Sequence, residues 1–383
     1  MENVIVVILG FVLAVTAGRW IIPGILIISL RKRLFDVPDN RKIHDRPVPR
    51  LGGVSFFPVI LFVMSVMTIL RLLTGSLPTA FFTINVVNEM LCLVAGLTLL
   101  YLIGITDDLI GVRYRQKFII QIISASFFPL VGLYLDNFYG LLGIHELIPF
   151  IGVALTMLLI VFITNAINLI DGIDGLASGL SMVTFCILGF AFALNSLWMY
   201  SLLAFSCVGI LIPFFMYNVF GNTKRGRKIF MGDTGSLTLG YILSFLIIKF
   251  CIHSSVSVGE MEGASLVIAF SMLLVPCLDV CRVVLGRINR RVNPFKPDRT
   301  HIHHKFLDMG FSPRRSMAYI QLMSACFIIS TILLIDWGIN ATLVLVLDIL
   351  VWVGLNMWFS SIIKKKLSSK SQTSVNSADE KFK

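Results

Sequence analysis

Long apolar runs, each broken by a short polar stretch, recur along nearly the whole chain. A helix needs roughly 20 residues to cross a hydrocarbon core of ~30 Å. On that measure the pattern predicts eleven spans, at 3–30, 51–73, 88–106, 117–135, 149–167, 176–195, 197–220, 236–251, 264–286, 317–335 and 340–363. Inside a bilayer the backbone polar groups have no water to bond, so such spans must be helices packed on one another. The prediction is an all-α polytopic integral membrane protein, with residues 1–363 as one transmembrane domain and neither an internal repeat nor a soluble domain. Residues 364–383, "KKKLSSKSQTSVNSADEKFK", are poor in apolar side chains and read as a disordered cytoplasmic tail, anchored at the surface by Lys364, Lys365 and Lys366. The first run has no basic residues ahead of it and no small-residue cleavage pattern, so it reads as a retained span and not a signal peptide.

Composition agrees, and charge supplies an orientation. Of 383 residues 57% are hydrophobic and 14% charged, where a soluble domain carries about a quarter charged. Loops rich in Lys and Arg stay cytoplasmic. Here 28 of the 32 Lys and Arg residues fall in the alternate segments 31–50, 107–117, 221–235, 287–316 and 364–383, and the loops between them have none. With eleven spans this puts the N-terminus outside and the C-terminus inside. A net charge of +11 would suggest nucleic acid in a soluble protein; here loops facing anionic headgroups account for it. The seven cysteines sit singly in apolar spans as packing residues, and Cys277 and Cys281 share a helix face without metal-type partners.

Five polar clusters stand out, all on the predicted cytoplasmic side: "DVPDNRKIHDRPVPRLGG" (36–53), "GITDDLIGVRYRQK" (104–117), "NAINLIDGIDG" (165–175), "RGRKIFMGDTGS" (225–236) and "NPFKPDRTHIHHKF" (293–306). In the third, Asn165, Asn168, Asp171 and Asp174 recur at a spacing of three. At 3.6 residues per turn the first three share one side of a helix end, and Gly172 and Gly175 then stop the helix. Hard oxygen donors in that arrangement suit Mg²⁺ or Mn²⁺; the plainer alternative is capping and turn chemistry.

Adjacent carboxylates on a helix point in different directions, so Asp107 and Asp108 have separate roles, or one of them pairs with Arg113 or Arg115. Asp233 precedes the eighth span beside Thr234 and Ser236, both good N-cap types. That helix start offers backbone N–H groups to a phosphate, with Gly232 and Gly235 allowing close approach. It is no Walker loop, since the Gly-Lys-Ser/Thr ending is missing. His301, His303 and His304 beside Arg299 and Lys305 fit an anion such as pyrophosphate better than zinc, because Cys or Glu ligands at suitable spacing are absent. Asp279 in the ninth span is a functional suspect as an ionisable residue in a membrane helix, or simply the partner of Arg282.

These stretches, in this order, resemble the successive signatures of the polyprenyl-phosphate N-acetylhexosamine-1-phosphate transferases, of the glycosyltransferase family 4 type: residues 36–53, "TDD" at 106–108, "NAINLIDGIDGLASG" at 165–179, "FMGDTGS" at 230–236, "PCLDV" at 276–280 and "DRTHIHHKFLDMGFS" at 298–312. The His-x-His-His form at 301–304 is similar to the branch that starts O-antigen, common-antigen and teichoic-acid chains from UDP-GlcNAc. The resemblance implies an eleven-helix protein of the bacterial inner membrane with its active site on the cytoplasmic face. It implies transfer of HexNAc-1-phosphate from a UDP-sugar to undecaprenyl phosphate, with release of UMP and with Mg²⁺, or Mn²⁺, as cofactor.

Carried onto this sequence, the resemblance has Asn168 and Asp233 hold the metal, with Asp107, Asp108 and Asp233 as catalytic residues. Lys117 and Gln121 lie near the lipid phosphate, and Asp171 and Asp174 around the nucleotide. Phe230 would stack on uracil, while Arg299, His301, His303 and His304 contact pyrophosphate and sugar. Asn165 and Arg50 complete the substrate-binding set. One departure is Gly111, where some members carry a third Asp. Expected partners are the UDP-N-acetylhexosamine, undecaprenyl phosphate and the bilayer, with a homodimer allowed and no nucleic acid.

A phosphate monoester has its second pKa near ~6, so the lipid phosphate needs little help from a base. Direct in-line attack is the favoured route and an aspartyl-phosphate intermediate the runner-up. A donor other than UDP-GlcNAc (a GalNAc, FucNAc or QuiNAc derivative) is the alternative within the family. A transporter of an anionic lipid or nucleotide is the alternative outside enzymes, and it would place polar residues at both faces; the sequence shows them at one.

Overall fold

The structure, a computed structural model, describes residues 2–36, 48–74, 83–254, 263–293 and 300–379. Its helices are α1 (Glu2–Arg31), α2 (Phe56–Leu73), α3 (Ile84–Ile110), α4 (Tyr114–Leu130), α5 (Pro149–Ile170), α6 (Leu176–Leu194), α7 (Trp198–Val219), α8 (Gly232–Ser254), α9 (Ala264–Asn289), α10 (Ile302–Asp308), α11 (Pro313–Asp336) and α12 (Ala341–Asp379). Among the described residues ten of these are long and apolar enough to cross a membrane, which makes the chain an all-α, multi-span membrane protein.

Four features differ from the sequence pattern. The span expected at 117–135 is α4, which begins at Tyr114 and stops after 17 residues. Gly132, at φ 76°, ends it: the Leu133 and Gly132 N–H groups fold back onto the carbonyls of Phe128 and Pro129, both at 3.0 Å, a glycine-closed helix terminus. The tail expected to be disordered is helical as far as Asp379, because α12 runs on past Lys366. The His loop contains a helix of its own, α10, and the loop after α1 forms a two-residue antiparallel pair, β1 (Phe35–Asp36) with β2 (Val48–Pro49).

The centre of the bundle is α8, buried without a break from Thr234 to Ile248, as a helix apolar on all sides must be. It packs against α3, α5, α6 and α9. With lipid as apolar as the helices themselves, association depends on close packing, which small residues permit. On α1 a stripe of Gly10, Ala14 and Gly18 lies against α7: a Cβ on Gly18 would run into Ile210 and Pro213. Where α3 crosses α8, Gly104 leaves no room for a Cβ against the backbone of Thr234. In α9, Pro276 lacks the N–H that would satisfy the Met272 carbonyl, and Thr184 of α6 donates to that carbonyl instead, at 3.3 Å.

Polar groups are not confined to one end of the bundle, as the sequence suggested. At the far ends of α3, α7 and α8, Glu89 is buried with Lys249 at 2.8 Å and the Tyr200 hydroxyl at 2.5 Å. Glu89 joins the two, accepting from Lys249 with one oxygen and from Tyr200 with the other.

Overpacking a well-filled crossing costs about 1–3 kcal/mol. Gly104→Val should therefore lower the detergent melting temperature, while Gly286→Ala, where a Cβ meets nothing within 4 Å, should leave it unchanged.

Candidate active site

The last turn of α3 and the first turn of α8 meet at one end of the bundle. Asp107 and Asp108 diverge there, as adjacent helical positions must. Asp108 reaches across to α8: one oxygen accepts from the Asp233 N–H at 2.8 Å, the other from the Thr234 N–H at 3.0 Å and the Thr234 hydroxyl at 2.6 Å. The N-terminal N–H groups expected to receive phosphate are thus capped by a carboxylate from another helix. The glycine room is used the same way. Gly232 lies against Asp108 and the Arg50 carbonyl, and Gly235 against Gly53. Residues 49–53 run alongside 230–231 like a strand, with Phe230 donating to the Pro49 carbonyl at 2.7 Å and Gly52 donating to that of Phe230 at 2.9 Å.

Asp107 turns the other way. It accepts from the Val112 N–H at 2.6 Å and pairs at 3.1 Å with Lys117, the first-turn lysine of α4, and not with Arg113 or Arg115. Lys117 also pairs with Asp233 at 2.5 Å. The other oxygen of Asp233 accepts from the Asn168 amide at 2.8 Å, and the same amide donates to Ser236 at 2.8 Å. Four helices, α3, α4, α5 and α8, therefore deliver Asp107, Lys117, Asn168 and Asp233 to one point. Asn165, a turn deeper, is turned toward Gln121 of α4, with its amide donating at 2.6 Å. It braces α5 on α4.

Asn168 Oδ1 and the Asp233 carboxylate are hard oxygen donors on facing helices. Among the described residues no three His, Cys, Asp or Glu side chains converge to hold a metal by themselves. A divalent cation here would complete its shell with water or phosphate oxygens, the usual habit of Mg²⁺.

Beyond α5 the chain turns at Asp171 and Gly175. Asp171 caps α5; burial, then the charges of Asp174, Asp233 and Asp108, push its carboxyl up to about 7, against the pull of Arg50. Asp174 pairs with Lys228 at 2.5 Å. The Asn218 side chain, buried at the end of α7, accepts from the Gly175 N–H at 2.6 Å and donates to the Ile229 carbonyl at 2.9 Å, tying this turn to the Phe230 segment. Neither Lys228 nor Asn218 stood out in the sequence. One was counted among the basic loop residues, and the other is a lone polar residue closing an apolar run.

The His loop closes over the same turn. His303 is almost fully buried with its imidazole where a Cβ of Gly172 would sit. Burial, then the neighbouring His304 and His301, push it down to about 3, so it is neutral. The His304 ring lies tilted against that of His303, at 4.3 Å between centroids. His301 binds Asp279 of α9 at 2.9 Å. Lys305 points away, to Asn356 at 3.1 Å and Ser360 at 3.1 Å on α12; burial, then Arg282, brings it down to about 8. Arg299 lies outside the described residues.

The family model for glycosyl transferase family 4 matches residues 90–251. A probable undecaprenyl-phosphate N-acetylglucosaminyl 1-phosphate transferase of Bacillus subtilis is 30% identical over 367 residues, 95% of each chain. This chain belongs to glycosyl transferase family 4. Undecaprenyl-phosphate alpha-N-acetylglucosaminyl 1-phosphate transferases of Yersinia pestis, at 27% identity over 78% of this chain and 76% of that one, and of Escherichia coli, at 29% over 76% and 74%, are also similar to it.

The stretch matched by the family 4 model holds the acid–lysine cluster and the Asp171–Gly175 turn, while the His loop lies beyond it. Two predictions follow from the geometry of this family 4 site. Hydrogen bonds to a charged group are worth about 1.5–3 kcal/mol, so Asp108→Ala, which loses three of them at the start of α8, should lower the melting temperature, whereas Asp107→Ala, which loses one backbone hydrogen bond and one ion pair, should lower it less. Asp171 has a folded pKa of about 7 against ~3.9 unfolded. The metal-free native state therefore binds the extra proton, and stability falls as pH rises from about 4 to 7. Asp171→Asn should raise the metal-free melting temperature by an increment that grows up to pH ~7 and is level above it; an increment independent of pH would contradict this.

Proposed function

We propose that this protein is a phosphoglycosyltransferase that moves N-acetylhexosamine-1-phosphate, GlcNAc-1-phosphate foremost, from a UDP-sugar to undecaprenyl phosphate. UMP leaves, and the lipid-pyrophosphate-sugar product starts a cell-surface polysaccharide. The observation that carries the reading is the meeting of Asp107, Lys117, Asn168 and Asp233 at one end of the bundle. The names of the full-length relatives support it.

The chemistry needs one bond made and one broken. An oxygen of the lipid phosphate, already largely dianionic near neutral pH, attacks the sugar-bearing phosphorus, and the bond from that phosphorus to the bridging oxygen breaks as UMP departs. Lys117 is the cation nearest the acids; it draws the lipid phosphate in and offsets repulsion from Asp107 and Asp233. Arg50 and the ring nitrogens of the His loop bear on the pyrophosphate side. The donor chemistry fits Mg²⁺, which Asn168 and Asp233 would hold and which, when bound, would offset charge on the leaving phosphate. Asp108 serves direct transfer by holding Asp233 in place, since an aspartate whose oxygens carry three hydrogen bonds is a poor nucleophile.

In this reading α4 is an eleventh span, the N-terminus lies outside, and the site opens to the cytoplasm at a bacterial inner membrane, within a catalytic domain of residues 1–363. The clustering of basic residues on that side supports the orientation. At the far end the carboxylate of Glu89 is already paired with Lys249 and Tyr200, which weighs against transport.

The test is UMP release by purified protein in detergent with Mg²⁺, undecaprenyl phosphate and a panel of UDP-sugars. UMP should appear only when lipid, divalent cation and a UDP-N-acetylhexosamine are all present, and Asp233→Ala should reduce it at least ~100-fold, the scale of losing a group that stabilises the transition state. Folded protein that releases no UMP with any donor would overturn the proposal in favour of transport.

A further inference from the structure

Asp279 is wholly buried in α9. An isolated carboxylate there is costly, and this one is fully engaged. One oxygen accepts from the Arg282 guanidinium at 2.6 Å. The other faces His301 Nδ1 at 2.9 Å, and the Ile302 N–H reaches both oxygens, at 3.1 and 3.2 Å. Arg282 in turn donates to the Thr300 carbonyl at 2.5 Å. All these contacts bear on one short segment, Thr300 to Ile302, where the His loop enters α10.

A carboxylate that accepts from one ring nitrogen settles which tautomer a histidine adopts. With Nδ1 carrying its proton toward Asp279, Nε2 lies on the opposite side of the ring. The ring is parallel to that of His303 at 5.8 Å, and His303 is seated on Gly172 of the turn that holds Asp171 and Asp174. The backbone needs only the Ile302 hydrogen bond to start α10. Fixing the ring as well is an additional task.

We propose that Asp279 is a positioning residue for the transfer reaction: it holds His301 with Nδ1 protonated, so that Nε2 is the nitrogen offered to the donor's pyrophosphate, and Arg282 keeps the carboxylate in place. This rests on the phosphoglycosyltransferase reading above.

The experiment uses the full chain in detergent and has two parts. With six histidines in the chain, ¹H–¹⁵N spectra of protein labelled only at histidine, assigned with His301→Asn, should show a protonated Nδ1 on His301 that is lost or exchanging in Asp279→Asn. In parallel, Asp279→Asn, which keeps an acceptor for the Ile302 N–H, should lower kcat/KM for the UDP-sugar on the order of 10- to 100-fold, the usual effect of removing such a supporting carboxylate. KM for undecaprenyl phosphate should be unchanged, and Asp279→Glu should recover part of the loss. In the His301→Asn background, Asp279→Asn should change turnover less than about twofold, the non-additivity expected of residues acting through one another. Equal losses in both backgrounds, or a His301 spectrum indifferent to Asp279→Asn, would overturn the proposal and leave Asp279 as a loop anchor. If wild-type protein gives no UMP, the transferase reading and the use assigned to Nε2 fall together, while the spectrum still decides whether Asp279 sets the tautomer.

Discussion

Two helix ends that would each be electrically incomplete meet at the site. The C-terminus of α3 is the negative end of a helix dipole, a poor place for two carboxylates, and the N-terminus of α8 is a positive end with unpaired N–H groups. Asp108 resolves both problems by capping α8 from α3. The bond demands that the helices nearly touch, which is why Gly104 faces the Thr234 backbone. Everything chemical at the site is referred to that junction, because Asp233, the residue next to the cap, is thereby fixed on the axis of the bundle.

Around the junction the charges are balanced unevenly. Lys117 joins Asp107 to Asp233, and Lys228 answers Asp174, but among the described residues Asp171 has no cation in hydrogen-bond contact, and it is held against three other acids. A fold selected for stability alone would relieve that repulsion. Keeping it makes sense where a cation and a phosphorylated substrate arrive together, since crowded acids are what an incoming cation neutralises. The His loop then closes the arrangement from the other side, with neutral His303 packed on Gly172 and His301 steered by α9.

The membrane architecture was legible in the sequence because twenty-residue apolar runs have few other physical uses. The acids of the site were legible because Asn165, Asn168, Asp171 and Asp174 sit at helical spacing in an apolar chain. What could not be read was which partner each would take. Asp108 looked like a reacting group and is seen as a cap; the start of α8 looked like a phosphate cradle and is already filled. Lys117 appears as the bridging cation only once α4 is laid beside α3 and α8. Lys228 and Asn218 carry no local signal, since their roles depend on contacts between segments far apart in the chain. The early stop of α4 was visible in principle, in Pro129 and Gly132, but an apolar continuation through Leu135 masked it.

The central claim is that the bond broken lies between the two phosphates of the donor, with the sugar-bearing phosphate passing to the lipid. Donor labelled with ³²P at the β-phosphate, incubated with protein, divalent cation and undecaprenyl phosphate, tests this most directly. Label recovered in the lipid fraction together with the sugar, and returned to the aqueous phase as UDP-sugar when excess UMP is added, is the result this account predicts. Label left in water as UDP or as free sugar phosphate, with unlabelled lipid, would contradict it.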